Sequence, residues 1–414
     1  MTPVRTRLAG ALLAVALLPA GGVALAPAAH ATGTLPVAAG QGASAAALTP
    51  LGSRAAQVRS TLAANFQAHT ALAAVTQSAY LTKGDALGRV AEAVTAASRQ
   101  ELAASVGGLS PRSAALRDAI AASDAAKLSY AFGVDRYRGS RTRAAAAERA
   151  VVAARARVVD AMAPLVPSVP RAELAALLAV QDSRDAAATR ALGARSPQVF
   201  QLVHSAHLGT ATLARRVAVA LDARDALPGS ATSPAAELRA STVNLHVAHV
   251  VQTGLASDAG LTYGQRSPAY AGALAALNSN TEALTVRVRQ LSDPANAAAF
   301  RAQWVRHIRD YGTYVAGWIG HNAAQRRAAD ADLLDFATDN APQLSRVSGI
   351  PVAALVPEIR THVRGTERVI DLQAARSPQQ YPAAAAGTMH FAMVGDRLAA
   401  TAAARLGVAD PATP

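Results

Sequence analysis

The sequence predicts an all-α protein made of two tandem up-and-down helical bundles. Three observations carry this. Alanine dominates, aromatic residues make up only 4% of the chain, and Val and Ile do not gather in alternating runs, so helix is favoured over strand throughout. Prolines and glycines cut the chain into segments of helix length, as at Gly107-Gly108, Pro111, Pro164, Pro167, Pro170 and Pro197. The chain also repeats itself. Pro170 opens PRAELAALLAVQ and Pro351 opens PVAALVPEIRTH, while RALGARSP ends at Pro197 and DLQAARSP at Pro378. Both pairs are offset by 181 residues (351 − 170 and 378 − 197). VRSTLAANFQAH, ending at His69, answers LRASTVNLHVAH, ending at His249, at an offset of 180. An internal duplication of about 180 residues is the expectation; units of that size are duplicated domains, not solenoid repeats.

From the N-terminus, Arg5 and Arg7 precede a short apolar run, Leu8 to Leu18, and Ala29-His30-Ala31 is a small-x-small cleavage pattern. This predicts a signal peptide over 1–31 and a secreted, extracellular or cell-wall-associated protein. No later stretch is long and apolar enough to predict a transmembrane segment in the mature chain. Residues 32–50, rich in Ala, Gly, Pro and Thr without periodicity, read as a flexible lead-in. The first bundle is expected over 51–227, with helices at 52–80, 84–107, 111–134, 139–163, 170–193 and 197–223. A linker, PGSATSP, covers 228–234. The second bundle is expected over 235–407, with helices at 235–257, 268–291, 294–319, 322–345, 351–375 and 380–406, and 408–414 form a tail. Pro294, Pro351 and Pro378 fall at or just before helix starts, where a missing N–H costs least. Short connections between long helices imply antiparallel neighbours.

The formal charge is +13, but Lys83 and Lys127 are the only lysines and the arginines are scattered over helix faces. No reading motif or aromatic platform accompanies the charge, so nucleic acid is not an expected partner; a basic face against an anionic cell wall, or a protein partner, fits better. With no cysteine, thiol, Fe–S and covalent c-type haem chemistry are excluded. Gly-rich phosphate loops, a GxSxG elbow, zinc-protease helices and paired carboxylates on facing helices are all missing, so no catalytic residue is assigned.

The two copies differ in their histidines. Four helices of the second copy each carry one on an apolar stripe: His249, His307, His362 and His390. The first copy has Gln181 opposite His362, and Ser, Asp, Ala and Lys but no histidine among Ser123–Lys127 opposite the run ending at His307. His246 shares a face with His249, and Met393 and Asp396 share one with His390, which makes these three accessory candidates. Trp304, His307, Tyr311 and Tyr314 form one continuous helical face. Inward-facing groups from different helices are how bundles build metal sites. Imidazoles suit copper, zinc, iron or nickel, and a thioether shifts the choice toward copper. The plainer reading is that each histidine is a core residue with ordinary hydrogen-bond partners.

The stretches Phe300–Val315, Gly349–Ala375 and Met389–Ala399 resemble a group of secreted bacterial, actinobacterial-type, all-helical proteins that carry the label copper amine oxidase. The resemblance rests on Ala248-His249-Val250, Asn280, Trp304 with His307, His362, and His390 with Met393 and Asp396. It covers the second copy well and the first only in outline. The chain departs from the group's pattern where a Tyr-Gly usually follows the second helix; here the run is LSDPAN. True copper amine oxidases are β-rich and build their cofactor from the tyrosine of an Asn-Tyr-Asp/Glu tripeptide, which this chain lacks. The resemblance implies a secreted helical bundle, not an oxidase. Two functions stand at this point: a non-catalytic exported bundle with a binding or structural role, and a copper-preferring metal-binding bundle using one histidine from each of four helices.

Overall fold

The structure is a computed structural model and describes residues 52–108, 110–136 and 141–410. The expected signal peptide and lead-in lie outside the described residues, as do positions 411–414 of the expected tail. Among the described residues there are twelve helices and no strand. In the first half these are α1 (Arg54–Thr82), α2 (Asp85–Gly107), α3 (Pro111–Arg136), α4 (Arg141–Met162), α5 (Arg171–Gly193) and α6 (Val199–Asp225). In the second they are α7 (Pro234–Tyr263), α8 (Pro268–Leu291), α9 (Pro294–Ile319), α10 (Ala323–Ser348), α11 (Val352–Ala374) and α12 (Gln380–Leu406). None of them is long and apolar enough to cross a membrane.

Local chemistry explains where the helices of the second half begin. Ser233, Ser267 and Asp293 each stand before a proline, and each accepts a hydrogen bond from the backbone N–H three residues on, at 3.1, 3.1 and 2.8 Å. The cap satisfies an orphan donor and the proline at the first helical position forfeits none. Asn322 caps α10 in the same way through Gln325 N–H at 3.0 Å. α10 and α11 each carry an internal proline, Pro342 and Pro357, and both helices continue through it.

Helix ends reproduce the sequence repeat. Pro170 and Pro351, the residues before α5 and α11, share the same backbone angles, φ −56° and ψ 139°. After each helix comes an arginine in the left-handed region, Arg195 at φ 53° and Arg376 at φ 51°. Such values are uncommon for a residue with a Cβ, and both arginines belong to the repeated ARSP run.

In each half the six helices close a ring, each packing on the next and the last on the first. Each ring surrounds its own apolar core. The described residues form one compact unit, and the halves meet along α1 and α7. α7 also packs against α8, α9, α11 and α12, so it is covered around most of its circumference. Residues 228–233 are held at this seam and do not hang as a loose tether. The Pro228 carbonyl accepts from Ala55 N–H at 3.1 Å, and the Ala231 carbonyl accepts from the Arg59 guanidinium at 2.8 Å. Side chains cross the seam as well: Gln67 donates to the Asn244 carbonyl at 2.9 Å, and Lys83 pairs with Asp258 at 2.5 Å.

Candidate metal centre

Three of the four predicted histidines meet inside the second ring. His249 on α7, His307 on α9 and His362 on α11 are all buried, and each offers a ring nitrogen within 4.8 Å of the other two. Their ring centroids form a nearly equilateral triangle, 6.2 Å between His249 and His307, 5.6 Å between His249 and His362, and 5.8 Å between His307 and His362. Three imidazoles around one metal, at a metal–nitrogen distance of about 2.0 Å and a spread of about 120°, place their centroids about 5.5 Å apart. The observed triangle is slightly wider than that spacing.

The nitrogens are unclaimed. Both ring nitrogens of His249 and His307 and Nε2 of His362 are buried without a hydrogen-bond partner among the described residues. An orphaned buried polar atom costs about 1–3 kcal/mol, and native cores hold few of them. The same molecule shows what a satisfied core histidine looks like. His69, the repeat counterpart of His249, reaches Ser98 Oγ with Nδ1 at 3.0 Å and Asp124 with Nε2 at 3.3 Å.

Aromatic rings wall the triangle. His307 stacks on Phe336 with centroids 3.9 Å apart, and His362 on Phe391 at 4.0 Å. Trp304 lies 4.7 Å from His249, Tyr311 stands edge-on to His307 at 4.5 Å, and Phe300 stacks on Trp304 at 4.8 Å. The whole chain has six phenylalanines and two tryptophans. Three of the former and one of the latter gather here, so this wall was chosen from a scarce stock. Burial in these surroundings disfavours the imidazolium form. It pulls His249 down to about 3, with a smaller contribution from His246, and holds His307 and His362 well below the usual histidine value. All three rings are therefore neutral and have a lone pair to give at physiological pH.

The remaining candidates lie elsewhere. His390 is half-buried on α12 with Nε2 3.4 Å from the Glu358 carbonyl, and the ring that faces the triangle from α12 is that of its neighbour Phe391. His246 is buried beside Phe391 and holds the Thr242 carbonyl through Nδ1 at 2.9 Å. Met393 is 63% exposed. Asp396 is engaged by Arg239 through two bonds, at 2.8 and 2.7 Å, which clamp α12 to α7. Asn280 is buried on α8 and donates to the Leu245 carbonyl at 3.0 Å. In the first half, His204 and His207 each keep an unpartnered Nδ1, but their rings meet edge-on at 5.3 Å and, among the described residues, no third histidine or carboxylate joins them.

Sequence reasoning passed over Phe336 and Phe391. Phe391 hid beside the histidine taken as the ligand. The signal that marks both is their rarity in an alanine-rich chain.

No family model, curated protein or solved structure matches this chain.

Proposed function

We propose that this protein is a non-catalytic metal-holding bundle whose second half binds one copper ion through His249, His307 and His362. The observation that carries the reading is the convergence of three neutral imidazoles whose buried nitrogens have no protein partner. Unpartnered donors at this depth are costly unless a ligand claims them.

The surroundings favour the monovalent ion. The donor set contains no carboxylate and the walls are aromatic, so the site itself supplies no counter-charge. The cost of burying an ion rises with the square of its charge, so a monocation is far less costly here than a dication. Copper(I) also accepts three nitrogen donors without a bound water. A zinc site with three protein ligands keeps a fourth position for water or substrate. Export to the cell surface or beyond, as the N-terminal sequence implies, places the protein where copper would be sequestered or handed on.

The test is metal stoichiometry after loading with copper(I), copper(II) or zinc under matched conditions, for the wild type and the double variant His307→Ala, His362→Ala. Tight uptake of one copper(I) per chain, lost in the variant, is the expected result. Equal uptake by both proteins, or by neither, returns the histidines to the core and leaves a structural bundle.

A further inference from the structure

A second site lies at the seam between the halves, about which the metal centre says nothing. A cavity of about 450 Å³ opens between α1, α5, α6, α7 and α8. That is within the range of small-molecule pockets, roughly 300–1,000 Å³. Its lining follows α1 from Thr70 to Thr82 and α5 from Asp185 to Leu192, then the turn at Arg195. Ten residues of helix span about 15 Å, so the space is elongated. Its apolar wall is built of alanine, valine, leucine and proline with Phe200, and hydroxyl side chains and Asp258 share the lining. At one end Tyr263, 54% exposed, and Arg195 mark a mouth.

The other end is polar and electrically balanced. Lys127 and Asp185 line it. The Lys127 ammonium donates to Asp185 at 2.6 Å and lies 3.1 Å from Asp182, which is itself met by Arg155 at 3.2 Å. Burial by itself would lower the lysine's pKa, but the two carboxylates outweigh it, so the ammonium stays charged. Asp124 beside this network is met by Arg99, and Asp258 on the α7 wall by Lys83, so the charges here are paired within the protein and a charged guest would bring one without a partner. An ammonium has three N–H donors, two of them taken here, and the Asp185 carboxylate has lone pairs beyond those used by Lys127 and by Gln181 at 2.8 Å. A hydroxyl or amide, which both accepts and donates, matches such an end. Gln77 and Thr189, bonded to each other at 2.8 Å, add polarity along the wall without adding charge.

We propose that this cavity binds a linear neutral amphiphile, its alkyl chain along the apolar walls and a hydroxyl or amide head at Lys127 and Asp185. The first half then has a role of its own. It has an ion-pair network where the second half has imidazoles, and that network forms the floor of a ligand pocket.

The experiment titrates the full chain with N-phenyl-1-naphthylamine, a neutral probe that brightens in apolar surroundings. The probe is then displaced with 1-dodecanol, dodecanoate or dodecylamine below their aggregation limits. Two variants fill the cavity from different walls, Ala188→Trp on α5 and Ala74→Trp on α1, and circular-dichroism melts identify any that misfold. Saturable binding near one probe per chain, weakened at least tenfold by whichever filling variant folds, is expected. Dodecanol should displace the probe at least tenfold more effectively than either charged analogue. Non-saturable binding, or wild-type affinity in a folded filling variant, overturns the site. Equal or better displacement by dodecanoate or dodecylamine overturns the neutral head. His307→Ala is expected to bind the probe as the wild type does; a loss there would move the probe to the second half and overturn the assignment.

Discussion

The imidazole of His307 lies flat on the ring of Phe336, centroids 3.9 Å apart with 17° between the planes. The stack fixes the ring's plane and leaves both its nitrogens without a protein partner. A residue held for stability alone would be better served by an apolar side chain. The expected outcome for His307→Leu is therefore a metal-free protein more stable than wild type by about 1 kcal/mol, because two orphaned polar atoms are removed. The same variant should lose metal uptake, while His390→Ala keeps it. Urea unfolding of the apo proteins beside metal stoichiometry checks both. Destabilisation by more than about 1 kcal/mol would identify the imidazole as a structural element.

Acid should weaken the apo protein through the same groups. Burial pulls His249 down to about 3 and holds His307 and His362 well below the ordinary histidine value of about 6.5. The unfolded chain thus takes up protons below about pH 6.5 that the folded chain refuses. The sign follows: stability is full above that pH and drains as pH falls toward 3. Each histidine accounts for about 2 kcal/mol between pH 7 and pH 5. His204, His207 and His246 are shifted the same way and steepen the fall. Urea midpoints at pH 7, 6 and 5 should drop less in a triple His249→Leu, His307→Leu, His362→Leu variant. Parallel curves would mean that the triad is not the source.

Lys127 is the cation that Asp182 and Asp185 share. Replacing it by Met leaves Asp182 and Asp185 facing each other without their shared partner. Breaking a buried pair on one side costs about 3–5 kcal/mol, so Lys127→Met should lower the urea midpoint strongly. Adding Asp185→Asn should recover part of the loss. Failure of the second substitution to help would show that the ammonium matters for packing and not for charge balance.

Arg239 has a side chain only 4% exposed and meets Asp396 at 2.7 Å across α7 and α12. Asp396 shares α12 with Phe391, whose ring stacks on His362. Asp396→Asn should cost about 2–3 kcal/mol by taking the charge out of the two bonds that join α12 to α7. Copper affinity should fall with it, while the stoichiometry stays at one per chain. Unchanged affinity in the folded variant would separate the clamp from the site.

Most helix boundaries were legible in the sequence because they are set locally. Ser233-Pro234, Ser267-Pro268 and Asp293-Pro294 start helices by capping chemistry that needs no distant partner. The repeated ARSP run likewise ends α5 and α11 in the same backbone turn. The site was legible only in part. Helical periodicity put four histidines on apolar faces, but it does not say how far one helix is rotated or shifted against the next. That rotation brings Phe391 and not His390 toward His249, and it turns Met393 out to solvent.

By itself, then, the sequence determined the helical class, the near 180-residue period and the helices that would carry imidazoles, all properties of short-range backbone chemistry. The tertiary structure decided which imidazoles meet, that their nitrogens are left without protein partners, and that the two halves pack along α1 and α7 around a cavity. Those outcomes depend on side-chain packing between segments far apart in the chain, which no local pattern encodes.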